Sequence, residues 1–230
     1  MAETFDLHTR LSAVLGECAQ VLPFVADFAA FWQQPLQTGD GWSVAQVEAA
    51  ERRLGLALPA ALRAAYLLLG RRGDLTSNYD TLLRPDELHV VDGALVYRVE
   101  NQGAACWGIR LADLEQDDPG TVMRLDLADK AQEHWVPWES GLTVACIEMV
   151  MSETVLFAGG FTDFLEADAD EAGVVGQFRQ LPVVGRDVRW FADPDVLIRE
   201  VDGMCLHVRA RTKRALEQLR DAVPGDWLNG

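Results

Sequence analysis

The stretch SVAQVEAAERRLGLALPAALRAAYLLLG, residues 43–70, leaves the chain little conformational choice. Ser43 is a good N-cap and Gln46, three positions later, completes a capping box, so a helix starts at Val44. Gly55 supplies the left-handed residue that stops it. Leu58 precedes a proline and avoids the helical region, which makes LAL extended. Pro59 suits the first position of a new helix, where its missing N–H costs nothing. That second helix carries Leu62, Tyr66 and Leu69 at helical spacing and stops at Gly70. The run therefore encodes two helices joined by a tight corner, with Leu54, Leu56, Leu58 and Leu62 turned into a core.

The flanks supply the other layers. Leu7, Leu11, Val14, Leu15, Cys18 and Leu22 recur at helical spacing, predicting a helix over 7–22 that Pro23 interrupts or restarts before Phe24, Phe28, Phe31 and Trp32. QQPLQTGDG reads as a linker, with a boundary near residue 39. Beyond Gly70 the period changes. Asp92-Gly93 between two β-prone runs predicts a hairpin, and CWGIRL and TVMRLDL predict two more strands. Ser140 is placed to cap a helix bearing Leu142, Cys146, Met149 and Val150. VRWFAD, VLIREV and CLHVRA read as late strands, the last two joined by Asp202-Gly203, and RTKRALEQLRDAV as a closing helix. DFLEADADEAG, the one low-complexity patch, reads as a loop. Helices first, strands next and mixed elements last predict an α+β fold with an antiparallel sheet. The expected organisation is a helical extension over 1–39, a core over 40–155, and strands and a helix over 156–230 packed on the same domain.

With 230 residues the chain can bury a sizeable core. Its longest apolar runs are too short to span a bilayer, and MAETFDLHTR has acids where a signal peptide needs bases and an apolar run; the expected location is cytoplasmic. Cys18, Cys106, Cys146 and Cys205 are scattered, with no Cys-x-x-Cys pair, and His8, His89, His134 and His207 are equally dispersed. This pattern predicts reduced thiols and neither a metal nor a cofactor. Cys106, beside Trp107, with His134 elsewhere is the one nucleophile–base combination, and no spacing brings the two together. The chain is therefore expected not to be an enzyme.

Charge is the unusual property. Acids number 36 and bases 20, a formal −16. Between Glu100 and Glu171, 16 acids face only Arg110, Arg124 and Lys130, a net −13. Such a field repels nucleic acid and speeds encounter with basic partners; it also serves as a solvated surface. Asp163, Glu166, Asp168, Asp170 and Glu171 form its densest stretch, suited to mimic phosphates for a basic protein. Their order does not match a calcium-binding loop of the EF-hand type. Glu100, Asn101 and Gln102 follow a strand and precede Gly103, placed either to meet a partner or to satisfy backbone at a sheet corner. Trp135 and Trp138, flanking Val136-Pro137, are interface anchors or core residues. The basic residues Arg209, Arg211, Lys213 and Arg214 read as a solvated face.

The 41–70 region, with Glu48, Glu51, Leu54, Gly55, Leu58, Pro59, Leu62 and Gly70 in order, resembles the signature of the SUKH superfamily (the Smi–Knr type). RVENQGAACWGI, with Glu100, Asn101, Gln102 and Trp107, and LLRPDEL at 82–88 are similar to that family as well. The loop after the second helix departs from it, reading GRRGDL where members often carry an Asn-Gly-Gly-like turn. The resemblance spans residues 41–155. It implies a central, mostly antiparallel sheet flanked by helices, and in bacteria an immunity protein that binds and neutralises a cognate toxin, frequently a nuclease. Eukaryotic relatives are regulatory or scaffolding modules. The expected function is thus a protein that occludes a basic toxin with an acidic surface, the alternative being a regulatory module with no toxin; neither nucleic acid nor membrane is an expected partner.

Overall fold

The computed structural model describes residues 5–156, 159–182 and 184–229 of an α+β protein. Its chain divides into two units, Pro35–Glu153, and Met1–Gln34 together with Thr154–Gly230.

Two helices open the chain, α1 (Leu7–Val14), capped by the Asp6 side chain, and α2 (Cys18–Trp32). The break falls at Gly16, whose φ of +100° few other residues adopt, and not at Pro23. Pro23 lies inside α2 on its exposed side, and the carbonyl of Ala19, which loses its helical donor there, belongs to an exposed residue. Phe24, Phe28 and Trp32 are buried.

In the Pro35–Glu153 unit, α3 (Val44–Leu54) carries the expected capping box and ends on Gly55 at φ +67°. Pro59 is the N-cap of α4 (Ala60–Leu69) and not its first residue. The corner between them is held by more than leucines. Glu51 accepts from the Leu58 N–H at 3.0 Å and from Arg63 at 2.7 Å, and Glu48 lies 3.5 Å from Arg63. Leu58 and Leu62 are buried, whereas Leu54 and Leu56 are only half-buried. The expected linker is a clamp on the end of α4. Trp42 donates its backbone N–H to the Tyr66 carbonyl at 2.8 Å and its indole N–H to Gly70 O at 2.9 Å. A Cβ on Gly41 would sit 1.8 Å from Leu67 O, so glycine is required at that approach. Arg72 joins Asp40 at 3.0 Å to Asp74 at 2.8 Å across the short α5 (Gly73–Thr76).

The sheet of this unit comprises β1 (Thr81–Leu82), β2 (His89–Val91), β3 (Ala94–Val99), β4 (Ala105–Arg110), β5 (Val122–Leu125) and β6 (Val136–Pro137). All pairings are antiparallel, in the order β1-β3-β4-β5-β6, with β2 also on β3. Asp92 and Gly93, both at positive φ, make the expected β2–β3 turn. The last helix, α6 (Leu142–Val155), has its Thr143 N–H taken by Asp118 at 2.8 Å. A bulge between Val96 and Arg98 interrupts the alternation of β3. Tyr97 therefore lines an apolar space with Leu62 of α4 and Met149 of α6, while the next residue, Arg98, also reaches carboxylates of α6.

The other unit has its own antiparallel sheet, β7 (Phe161–Leu165), β8 (Arg179–Gln180), β9 (Val188–Asp193), β10 (Val196–Val201) and β11 (Cys205–Ala210), ordered β7-β11-β10-β9-β8. The closing helix α7 (Lys213–Ala222) is capped by Thr212 and buries Ala215, Leu216 and Leu219 against Leu165, Phe191, Ile198, Leu206 and Val208. Helix α2 belongs here: Arg211 lies 3.7 Å over the Phe31 ring and donates to the Phe31 carbonyl at 3.3 Å. Residues 154–230 thus group with the N-terminal helices as one compact unit. The first part of DFLEADADEAG is strand β7, and Ala169 and Ala172 from its remainder enter the core. Among the described residues no helix is long and apolar enough to cross a membrane.

Candidate functional site

Strand register brings three distant pieces of chain to one end of the first sheet. Thr81 pairs with Val99, Val99 with Cys106, and Cys106 with Arg124. One residue further out stand Asp80, Glu100, Ala105 and Leu125, and the Asp126 N–H reaches Ala104 O at 2.8 Å. The rim therefore comprises Tyr79-Asp80, the Glu100–Ala104 turn and the Leu125–Asp129 segment. Glu100 is internal to its turn, accepting from the N–H groups of Gln102 at 2.8 Å and Ala104 at 2.9 Å. Asn101 and Gln102 are exposed. Tyr79 and Leu125 are 43% and 45% exposed, high for residues of that size in a sheet-end position.

The charges of this end are unevenly committed. Arg124 pairs with Asp92 at 2.8 Å and Glu133 at 2.6 Å. Lys130 pairs with Asp126 and with Glu133. The Lys130 hydrogen bond, helped by the Leu127 N–H, holds the Glu133 carboxyl down at about 2. Arg110 donates to the Trp135 carbonyl at 3.1 Å. All three bases of the Glu100–Glu171 stretch thus have intramolecular partners; at this end Asp126, paired with Lys130, and Asp129, which accepts from the Ala131 N–H and the Gln132 side chain at 3.0 Å, are both exposed. Such an end offers negative charge and two apolar side chains to an approaching cationic surface.

Beneath the rim lies a feature the sequence did not announce. Arg98 is 3% exposed, and its guanidinium meets Glu148 and Glu153 at 2.8 Å and Asp80 at 3.3 Å, with the Trp107 ring 4.8 Å away. Three carboxylates share one cation. Glu153 is otherwise well supplied, by the N–H groups of Asn78, Tyr79 and Asp80, and Glu148 accepts from Ser152 at 2.6 Å. Asp80 is the poorly supplied member: its Oδ1 is buried and makes no hydrogen bond. Burial, reinforced by Glu153 and Glu148 and opposed by Arg98 and more weakly by the Asn101 N–H, pushes its carboxyl up to about 6.

The acidic run expected to form one contact surface is divided. Asp163 is a buried anchor, accepting from Arg220, from the Phe164 N–H at 2.8 Å and from the Asn229 N–H at 3.0 Å. Asp168 accepts from the Asp170 N–H at 2.7 Å, and Asp168 and Asp170 flank Arg189 at 3.5 and 3.3 Å. Arg189 also serves the buried Glu200. Glu166 and Glu171 are exposed. Trp135 is buried, its indole N–H on Val91 O at 3.2 Å, over a Gly108 whose Cβ would approach the ring to 3.2 Å. Trp138 is half-buried, edge-on to Trp107 at 6.0 Å. The Cys106 thiol is pushed up by burial, and a His134 ring nitrogen lies 2.7 Å from the Gln132 carbonyl. Among the described residues no group of three or more His, Cys, Asp or Glu side chains is placed to hold a metal. A groove of about 640 Å³ lies in the other unit between Phe5, Phe31 and Arg211, and its ion pairs (Arg211–Asp195, Arg179–Asp6) close on themselves.

Sequence reasoning missed Tyr79, Asp80, Leu125, Asp126 and Asp129 as neighbours of the Glu100–Gln102 turn. The available signal was the order of strands: two β-prone runs flanking that turn bring whatever follows TVMRL beside it. Comparisons with protein-family models, curated proteins and solved structures give no match to this chain.

Proposed function

We propose that this protein is a cytoplasmic immunity protein of the SUKH type, which binds a basic toxin, such as a nuclease, and neutralises it by occlusion without catalysis of its own. The supporting observation is the uneven commitment of charge at the rim. Every base of the acidic stretch is taken up internally, while Asp126 and Asp129, although they serve Lys130, the Ala131 N–H and Gln132, are exposed on the same rim as Tyr79 and Leu125. A nuclease groove is basic because it must meet phosphates, and complementary charge raises the rate of encounter. Tyr79 and Leu125 would supply the apolar anchor that charge alone does not.

Co-expression tests the reading. Toxins encoded beside this gene are expressed in a bacterial host with and without the protein. Rescue from one of them, lost when Asp126 and Asp129 become Asn and Tyr79 becomes Ala, is the expected result. Rescue that survives those changes moves the interface off the rim. No rescue from any neighbour favours a regulatory module of the same family type.

A further inference from the structure

The Arg98 cluster lies directly under the surface just proposed for docking, and its composition is out of balance. Asp80 (before β1), Glu148 and Glu153 (both on α6) face the single guanidinium of Arg98 on β3. The Glu100–Ala104 turn beside them adds one more carboxylate and no cation. Of the three acids on Arg98, only Asp80 has a buried oxygen without a donor, and its contact with Arg98 is the longest. It is also the member nearest solvent, with 12% of its side chain exposed against 3% and 0% for the glutamates. Its neighbour Tyr79 is a rim residue, and the Tyr79 and Asp80 N–H groups are tied to Glu153 of the same cluster. A proton on Asp80 would leave Arg98 shared by two carboxylates and turn an unsatisfied acceptor into a donor.

We propose that Asp80 is the proton-linked regulator of the rim: ionised, it adds a negative charge beneath the docking surface and strengthens its hold on a cationic partner; protonated, it weakens that hold. The inference rests on the reading of the rim as a docking surface for a basic protein. Linkage fixes the direction. A cation that binds better to the ionised form must expel the proton, so affinity falls as pH drops through the Asp80 titration, by up to tenfold for each unit by which binding lowers that midpoint. The long-range coupling needs no structural rearrangement, because the charge lies within a few residues of the surface it modulates.

The test uses the full chain labelled with ¹³C and ¹⁵N. Carboxyl carbons and the amides of Tyr79, Asn101 and Gln102 are followed from pH 8 to pH 4, alone and with a capped tri-arginine peptide. The expected results are an Asp80 midpoint near 6 that the rim amides share, peptide-induced shifts at the rim several-fold larger at pH 7.5 than at pH 5, and loss of that pH dependence in Asp80→Asn. An Asp80 midpoint near 4, or rim amides that ignore it, overturns the regulator and leaves the docking surface standing. A midpoint near 6 with no peptide response at either pH overturns the docking reading, and the regulator with it. Should Asp80→Asn fail to fold, the titration of the unaltered chain decides alone.

Discussion

Asp163 and Asp80 are both aspartates closed off from solvent at the edge of a sheet, and they are treated in opposite ways. Asp163, on β7, is surrounded by donors alone: Arg220, the Phe164 N–H, and the backbone and side chain of Asn229. Asp80, before β1, shares one guanidinium with two other carboxylates and keeps an oxygen with no donor. Burial is the same in kind, so the supply of donors separates an anchor from a carboxyl that burial and its acidic neighbours push up. The same contrast divides the two acidic regions. Around 163–171 the carboxylates are largely used to fix the chain, through Arg220 and Arg189. At the rim, Asp126 and Asp129 are exposed, the first paired with Lys130 and the second accepting from the Ala131 N–H and the Gln132 side chain. The densest acidic run in the sequence therefore holds structural carboxylates, Asp163, Asp168 and Asp170, beside the exposed Glu166 and Glu171.

The largest expected effect comes from removing the anchor. Asp163→Ala leaves Arg220 without its carboxylate and frees the Asn229 contacts; a loss of about 3 kcal/mol is expected by denaturant unfolding. A loss below about 1 kcal/mol would make Asp163 an ordinary surface acid and erase the contrast. Arg189→Ala is next, about 2 kcal/mol, because the buried Glu200 loses its cation; Arg189 is itself one-third in water, which lowers the figure.

Asp80→Asn is expected to act in the opposite direction. The native state holds its proton to about pH 6, whereas an unfolded aspartate releases it near 3.8. Between those values the folded chain binds the extra proton, so this contribution to stability is present below about 4 and is lost as pH rises through 6. The Asn variant should therefore be more stable than the parent by about 1–2 kcal/mol at pH 7.5, and by nothing at pH 4, in paired thermal melts. A variant that is less stable at pH 7.5 would show that the Asp80–Arg98 contact outweighs desolvation. The smallest effect on stability belongs to Asp126→Asn with Asp129→Asn, which should leave the melting temperature unchanged, yet slow association with a basic partner on the order of tenfold at low salt.

How much of this was legible in advance depended on whether the cause was local. VRWFAD, VLIREV and CLHVRA match β9, β10 and β11 residue for residue, since alternation and the turns between them are written in adjacent positions. The α3–α4 corner was equally plain from Ser43, Gly55 and Pro59. Strand β7 was hidden, because Asp163 interrupts its apolar pattern and its donors lie 57 and 66 residues away. Arg98 was hidden for the same reason: an arginine in a strand reads as exposed, and only the bulge before it and the facing α6 carboxylates make it a core residue. The Asp126–Asp129 side of the rim became visible only when register set Leu125 opposite Ala105.

On the proposed function, the rim, and not the denser 163–171 run, meets a basic partner. The direct measurement is the association rate of the rescued toxin with two purified variants, Asp126→Asn/Asp129→Asn and Glu166→Gln/Glu171→Gln, from low to high salt. The rim variant is expected to associate on the order of tenfold more slowly at low salt and with a shallower salt dependence, while the loop variant keeps the parent's rate. A slow loop variant beside an unaffected rim variant would contradict it.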